Sequence, residues 1–274
     1  SAEKRMTTKT TNSTSEFCIT RIPAFSDNYL WLIDNGVSAI AIDPGDAQPI
    51  IAELAAKQLR LDYILTTHHH ADHIGGVAEL QKRFNVQVIG PDSSNIPQVT
   101  RTVTDGEQIE LLGLVIDVIA VPGHTLDHMA YFIADPNPLN GPQLFCGDTL
   151  FAGGCGRLFE GSPAQMRHSL SKLKQLPNAT RIHCAHEYTQ ANLNFALAVE
   201  PNNADLIQRI TSVNLQRKNH QATVPSELAE ELATNPFLRY DKPSVIAAAA
   251  NRLQQSSLSA DEVFATIRQW KDNF

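Results

Sequence analysis

Thr67-His68-His69-His70-Ala71-Asp72-His73 follows an apolar strand predicted at Asp62–Thr66 and precedes a helix predicted from Gly75 to Phe84. The chain has ten histidines, and four of them fall within these seven residues. His68 and His70 alternate along an extended segment, so both project to one side. Asp72 and His73 project where the chain turns. Imidazole and carboxylate together suit Zn, Mn or Fe. A purification-type tract would be terminal and would lack the aspartate.

Working outward, three further residues fit one site. His124 lies in Val121-Pro122-Gly123-His124-Thr125, Asp148 in Cys146-Gly147-Asp148-Thr149, and His186 in His183-Cys184-Ala185-His186-Glu187. Each stands at the end of a predicted strand, where layered α/β folds carry their active sites. Asp34-Asn35-Gly36 is a hairpin turn between strands at Tyr29–Ile33 and Ser38–Ile42. A helix is expected over Pro49–Leu59. Strands follow at Val86–Ile89, Gln108–Leu111, Leu114–Val121, Ala130–Ala134 and Gln143–Cys146. Ser162, Pro163 and Gln165 read as N-cap, N1 and N3 of a helix to Leu176, and a strand follows at Arg181–Ala185. Beyond His186 the periods are helical, over 187–198, 203–218, 226–233, 244–254 and 260–272, with Ser259 and Glu262 as a capping box. The expected organisation is a disordered lead over 1–16, partly an expression remnant, a mixed strand-and-helix domain over 17–186, and a small helical domain over 187–274.

The 274 residues are 42% hydrophobic and 19% charged, with a net charge of −7. That is an ordinary globular composition. The acidic balance argues against nucleic acid as partner. No run approaches the ~20 apolar residues of a membrane span. With no export signal, the four cysteines are expected as reduced thiols in a cytoplasmic protein.

HxHxDH with a distant His, an Asp and a last His is similar to the pattern of the metallo-β-lactamase superfamily. Phe25-Ser26-Asp27-Asn28-Tyr29, Ile42-Asp43-Pro44-Gly45, Gly147-Asp148-Thr149-Leu150-Phe151, Gly154-Cys155-Gly156-Arg157 and His186-Glu187-Tyr188-Thr189 resemble the glyoxalase II family within it. So do Glu200-Pro201-Asn202, Asn235-Pro236-Phe237-Leu238-Arg239 and the ending from Arg268 to Phe274. The resemblance covers about residue 17 to 274.

It implies an α/β fold, a four-layer αββα sandwich with a C-terminal all-helical domain. The domain over 17–186 would be catalytic, and that over 187–274 would bind substrate. It implies two divalent ions, zinc foremost, with iron or manganese also compatible. His68, His70 and His124 would hold one ion, and Asp72, His73 and His186 the other. Asp148 would bridge them, which makes Asp72 and Asp148 the catalytic carboxylates. Seven protein ligands are too many for one tetrahedral ion. His69 is left over and reads as structural, and His128 and Asp43 read either as groups that orient ligands or as plain structural residues.

Arg157, Tyr188, Arg268 and Lys271 would bind the glutathione part of a thioester substrate. Arg268 and Lys271 are spaced to share a helix face. Where some members carry Lys-x-Tyr, this chain has Arg157-Leu158-Phe159, and Asp127 stands where glycine is common. The implied activity is hydrolysis of S-(2-hydroxyacyl)glutathione, with no Ser or Cys nucleophile, and a monomer is the expected state. A mononuclear iron persulfide dioxygenase of the same superfamily is a second reading. The complete second ligand set and the helical tail count against it. A non-catalytic metal- or glutathione-binding protein is a third.

Overall fold

The computed structural model describes residues 17–274. The lead expected over 1–16 lies outside the described residues, apart from its boundary with Phe17. Two six-stranded sheets pack face to face. The first has the order β1 (Cys18–Ala24), β2 (Asn28–Asp34), β3 (Ser38–Ile42), β4 (Arg60–Leu65), β5 (Gln87–Pro91), β6 (Arg101–Val103). It begins antiparallel and becomes parallel from β3 onward.

Strand β2 shows why the residues sort as they do. All seven of its residues are buried, because both of its faces are covered. Tyr29, Trp31 and Ile33 join the core between the sheets, while Leu30 and Leu32 join the core under the outer helices. That is a period of two read out twice. In β3 the inner face carries Ile40 and Ile42, and the outer face the small Ala39 and Ala41. The outer helices are α1 (Ala47–Lys57) and α3 (Val77–Phe84), with a single turn, α2 (Ala71–Ile74), before α3. Helix α1 starts two residues before the Pro49 expected from sequence. Asp46 is its N-cap, accepting from Gln48 N, and proline is tolerated in a first turn whose N–H groups are unpaired anyway.

The second sheet runs β14 (Ser226–Glu227), β13 (Arg181–Cys184), β10 (Gln143–Gly147), β9 (Met129–Ile133), β8 (Leu114–Ala120), β7 (Gln108–Leu111). A small hairpin, β11 (Leu150–Phe151) and β12 (Gly154–Cys155), follows β10. Helix α4 (Pro163–Leu173) begins with the Ser162–Gln165 capping box, as the sequence predicts. The C-terminal helices are α5 (Thr189–Val199), α6 (Ala204–Lys218), α7 (Leu228–Thr234), α8 (Pro243–Leu253) and α9 (Ala260–Asp272).

The helical part is not purely helical. Strand β14 returns from it to pair antiparallel with β13. Two residues are too few to give an alternation, so the sequence shows no strand there. Phe195, Phe264 and Ile267 of the helices, and Phe237 between α7 and α8, belong to the same continuous core as Trp31 and Tyr131 of the sheets.

Candidate metal centre

The ends of β4, β10 and β13 and the loop between β8 and β9 converge at one edge of the sandwich. The sequence-predicted ligands meet there in two groups that share one carboxylate. His68, His70, His124 and Asp148 form one, and Asp72, His73, Asp148 and His186 the other, with potential ligand atoms all within 4.8 Å of one another in each.

Asp148 sits between them. Its Oδ2 lies 3.1 Å from His73 Nε2, 3.2 Å from His124 Nε2 and 3.8 Å from His68 Nε2, and its Oδ1 3.3 Å from His186 Nε2. Asp72 Oδ2 is 3.4 Å from His73 Nε2 and 3.3 Å from His186 Nε2. His68 Nε2 and Asp148 Oδ1 are buried without a hydrogen-bond partner. A buried polar atom left unpaired costs on the order of 1–3 kcal/mol, so two of them facing one cluster fit cations among them.

Four of the imidazoles are held by Nδ1, which leaves Nε2 aimed inward. Thr67 Oγ1 lies 2.8 Å from His68 Nδ1, and Asp43 Oδ2 2.8 Å from His73 Nδ1. His124 Nδ1 donates to the Arg157 carbonyl at 2.7 Å, and His186 Nδ1 meets Asp27 Oδ1 at 2.9 Å. Such outer partners fix ring orientation and raise ligand basicity. Asp43 also accepts from Thr67 N at 2.7 Å and Thr67 Oγ1 at 2.6 Å, so it clamps the start of the histidine stretch as well. His128 stacks on His68 with centroids 4.4 Å apart, and its Nε2 accepts from Asp148 N at 3.1 Å. Asp43 and His128 thus both contact side chains or backbone of the cluster.

Asp27 and Asn28 were not singled out from sequence. Asn28 Nδ2 donates to Asp72 Oδ2 at 3.0 Å. Both lie in the Phe25–Tyr29 stretch, which was the available signal. Two glycines permit the close approaches. A Cβ on Gly45 would lie 1.7 Å from the Asp72 carbonyl oxygen, and one on Gly156 would lie 1.9 Å from that of Asp148.

The charges are strongly coupled. Burial pushes the Asp148 carboxyl up, but His73, His124 and His186 outweigh it and hold the group well below the usual range. Burial likewise opposes ionisation of Asp72, and His186, His73 and Asn28 overcome it. His186 moves the other way, up to about 10, because Asp148, Asp72 and Asp27 outweigh the cost of burial. His68 is pushed well down by burial and by neighbouring His73 and His128.

A cavity of about 650 Å³ opens above this cluster. His70, Asp72, His124, Asp148 and His186 floor it, Phe151, Phe159 and Tyr188 wall it, and Arg157, Arg268 and Lys271 also line it. The Tyr188 ring stacks on His186 at 4.6 Å and 1°. Its hydroxyl is pushed up to about 12 by burial and by Asp27, Asp148 and Asp72, so it stays protonated.

Arg268 lines the cavity and is only 3% exposed. One Nη donates to the Cys155 carbonyl at 2.8 Å, and the other to Asp272 Oδ1 at 3.0 Å. Lys271 is half-buried, and burial with the neighbouring charges of Arg268 and Arg157 lowers its pKa. His69 points away from the cluster, to Asp127.

The family model of the metallo-beta-lactamase superfamily matches residues 25–186, and that of the hydroxyacylglutathione hydrolase C-terminus matches residues 187–274. The class is thus a metallo-β-lactamase-fold hydrolase with a metal-binding His/Asp cluster. A hydroxyacylglutathione hydrolase of Pseudomonas aeruginosa (strain LESB58) is 51% identical over 93% of this chain and 99% of its own length. One from Idiomarina loihiensis is 50% identical over 92% of this chain and 98% of its own. The chain belongs to the hydroxyacylglutathione hydrolase family. ETHE1 from Myxococcus xanthus shares the fold, at 23% identity and a TM-score of 0.61 over 93% of this chain and 97% of its own. TTHA1623, solved in a di-iron-bound form, is 26% identical with a TM-score of 0.56 over 79% of this chain and 98% of its own.

Proposed function

We propose that this chain hydrolyses S-(2-hydroxyacyl)glutathione thioesters, S-D-lactoylglutathione and water giving D-lactate and glutathione, the second step of methylglyoxal detoxification. The observation that carries the reading is Asp148, shared by two ligand groups at the floor of a cavity with a cationic side. The curated relatives of near-equal length carry the corresponding name. His68, His70 and His124 would hold one divalent ion with Asp148, and Asp72, His73 and His186 the other. Zinc suits this donor set best, and iron or manganese would also fit. Two bound ions supply an activated water at neutral pH and stabilise negative charge developing on oxygen.

The residues of the chain do the rest. Asp72 and Asp148 are the carboxylates lining the cavity, both held ionised, and they orient the attacking water through their oxygens. Arg157 and Lys271 take the glutathione carboxylate, with Tyr188 as a donor along the wall. Arg268 braces the loop that carries Arg157. Phe151 and Phe159 keep bulk water from the thioester. A monomer in the cytoplasm fits the four unpaired cysteines.

The test is metal analysis of the purified protein beside hydrolysis of S-D-lactoylglutathione, with a chelated control. Two ions per chain and chelator-sensitive release of glutathione are expected. Oxygen consumption with glutathione persulfide, and no thioester cleavage, would overturn the reading.

A further inference from the structure

We infer that His69, Asp127 and Glu160 form a clasp that positions all the unshared ligands of one metal ion, resting on the ligand assignment proposed above. Asp127 Oδ2 lies 2.8 Å from His69 Nδ1, and Glu160 Oε2 lies 3.4 Å from His69 Nε2. The carboxylates sit on two different segments. Thr125 Oγ1 donates to Asp127 Oδ1 at 2.5 Å, which stiffens the loop between β8 and β9. Leu126 N donates to Glu160 Oε1 at 2.8 Å, which ties that loop to the segment after β12.

The two segments run side by side. Phe159 N donates to the His124 carbonyl at 3.2 Å, and Gly161 N to that of Gly123 at 2.9 Å. The Arg157 carbonyl receives His124 Nδ1. Thus His124 hangs on irregular backbone, and that backbone is fastened through Asp127 and Glu160 to the residue between His68 and His70. The other ion's ligands have holds of their own, although α2 starts from the His70 carbonyl, which accepts from His73 N at 2.9 Å. Asp72 and His73 lie on α2, and His186 follows β13, with Asp27 holding its ring. Opening the clasp therefore loosens the His68–His70–His124 ion more than its neighbour. The clasp also sets the cavity wall, because the Phe159 ring stands edge-on to His70 at 5.5 Å and to His124 at 5.2 Å.

Asp127 and His69 are positioning residues, and the test reads metal release, not only turnover. Zinc-loaded wild type, Asp127→Ala, Asp127→Asn and Glu160→Gln are mixed with the chromogenic chelator 4-(2-pyridylazo)resorcinol, and zinc release is followed in time. Outer-shell changes typically alter metal affinity 10–100-fold. Asp127→Ala should release one of its two ions about tenfold faster and the other with a much smaller acceleration. Asn, whose amide can donate to the other His69 tautomer, should stay near wild type. Glu160→Gln should show the same asymmetry, smaller, and it decides the matter if Asp127→Ala fails to fold. Equal acceleration of both ions, or none, overturns the clasp. So does a third wild-type ion lost on Asp127→Ala, since these three side chains would then be ligands themselves. A wild type that never holds two ions sinks the underlying metal reading instead, which is a separate outcome.

Discussion

Arg268 and Cys155 are 113 residues apart in sequence and joined by a 2.8 Å hydrogen bond from guanidinium to carbonyl. The same guanidinium reaches the Gly156 carbonyl at 3.3 Å and lies 4.9 Å from the Phe237 ring centroid. It pins α9 to the loop that carries Arg157 into the cavity. Arg268→Ala should therefore lower stability by ~3 kcal/mol, since it strands buried carbonyls that a charge had satisfied. KM should rise as well, because the loop loses its brace. Urea unfolding and steady-state kinetics check both, and an unchanged urea midpoint would sink the brace.

Lys271 separates from Arg268 in this respect. A contact with the remote carboxylate of glutathione is equal in ground and transition states, so losing it raises KM and leaves kcat nearly unchanged. At ~1.4 kcal/mol per tenfold, Lys271→Ala should raise KM by roughly tenfold at low salt, and less as salt screens the pair. The depressed pKa adds a pH signature. Lys271 is charged below its pKa and binds there, so KM should climb at a lower pH than an ordinary lysine would give. An Ala variant with wild-type KM at low ionic strength would return Lys271 to a plain helix-end charge.

Much of this is legible in the sequence alone. His68, His70, Asp72 and His73 announce themselves by density, and the two capping boxes by residue type at fixed spacing. The gathering of His124, Asp148 and His186 beside them was readable only as a shared strand-end position together with the family resemblance. Periodicity says nothing about which strand ends are adjacent. Arg268 shows the limit most clearly. Its spacing from Lys271 is correct for one helix face, yet its burial is decided by Phe237 and the Cys155 loop, which are distant in sequence. The strand Ser226–Glu227 and the hairpin from Leu150 to Cys155 are too short for any pattern, and long-range pairing alone creates them. Glu231 and Asn235 hold that hairpin from α7 and just beyond it, through Gly153 N at 2.8 Å and the Gly154 carbonyl at 3.0 Å.

Asp148→Ala should be the most damaging single change at the site. It removes the carboxylate common to both ligand groups. A loss of ~10³-fold in kcat, about 4 kcal/mol, is expected, with metal content below two per chain. His69→Ala should instead retain close to two ions at saturating metal, because His69 faces Asp127 and not the cluster. Near-normal kcat in a folded Asp148→Ala protein would remove the shared carboxylate from the mechanism.

The cysteines near the cavity should be dispensable for the chemistry. Burial pushes the Cys146 thiol well up and raises that of Cys155 despite Arg268 beside it. Cys184 is pushed up to about 12. A thiol held protonated is a poor nucleophile. Mass spectrometry during turnover should find no acylated cysteine, and detection of one on Cys155 would overturn the water-based reaction.

The metal-free protein should have a distinctive stability profile. His186 has a folded pKa raised to about 10 against an unfolded value near 6.5. It binds its proton more tightly when folded, so its contribution is fully present below about pH 6.5 and is lost as pH rises toward 10. His73, also raised, acts in the same direction. Asp72 and Asp148 are lowered, so their contribution is present above the ordinary carboxylate range and lost on acidification. His68, His70 and His128 are lowered and act the other way, their contribution improving as pH rises to about 6.5, so chelated protein should melt highest near pH 6.5 as far as this cluster decides, with Tm falling from there to pH 10. Metal reverses the alkaline trend, because cations compete with those same protons and bind more tightly as pH rises. Thermal melts of chelated and metal-loaded samples across pH 5 to 10 would show the two curves diverging. Parallel curves would mean that the protons on His73 and His186 and the metals do not share a site.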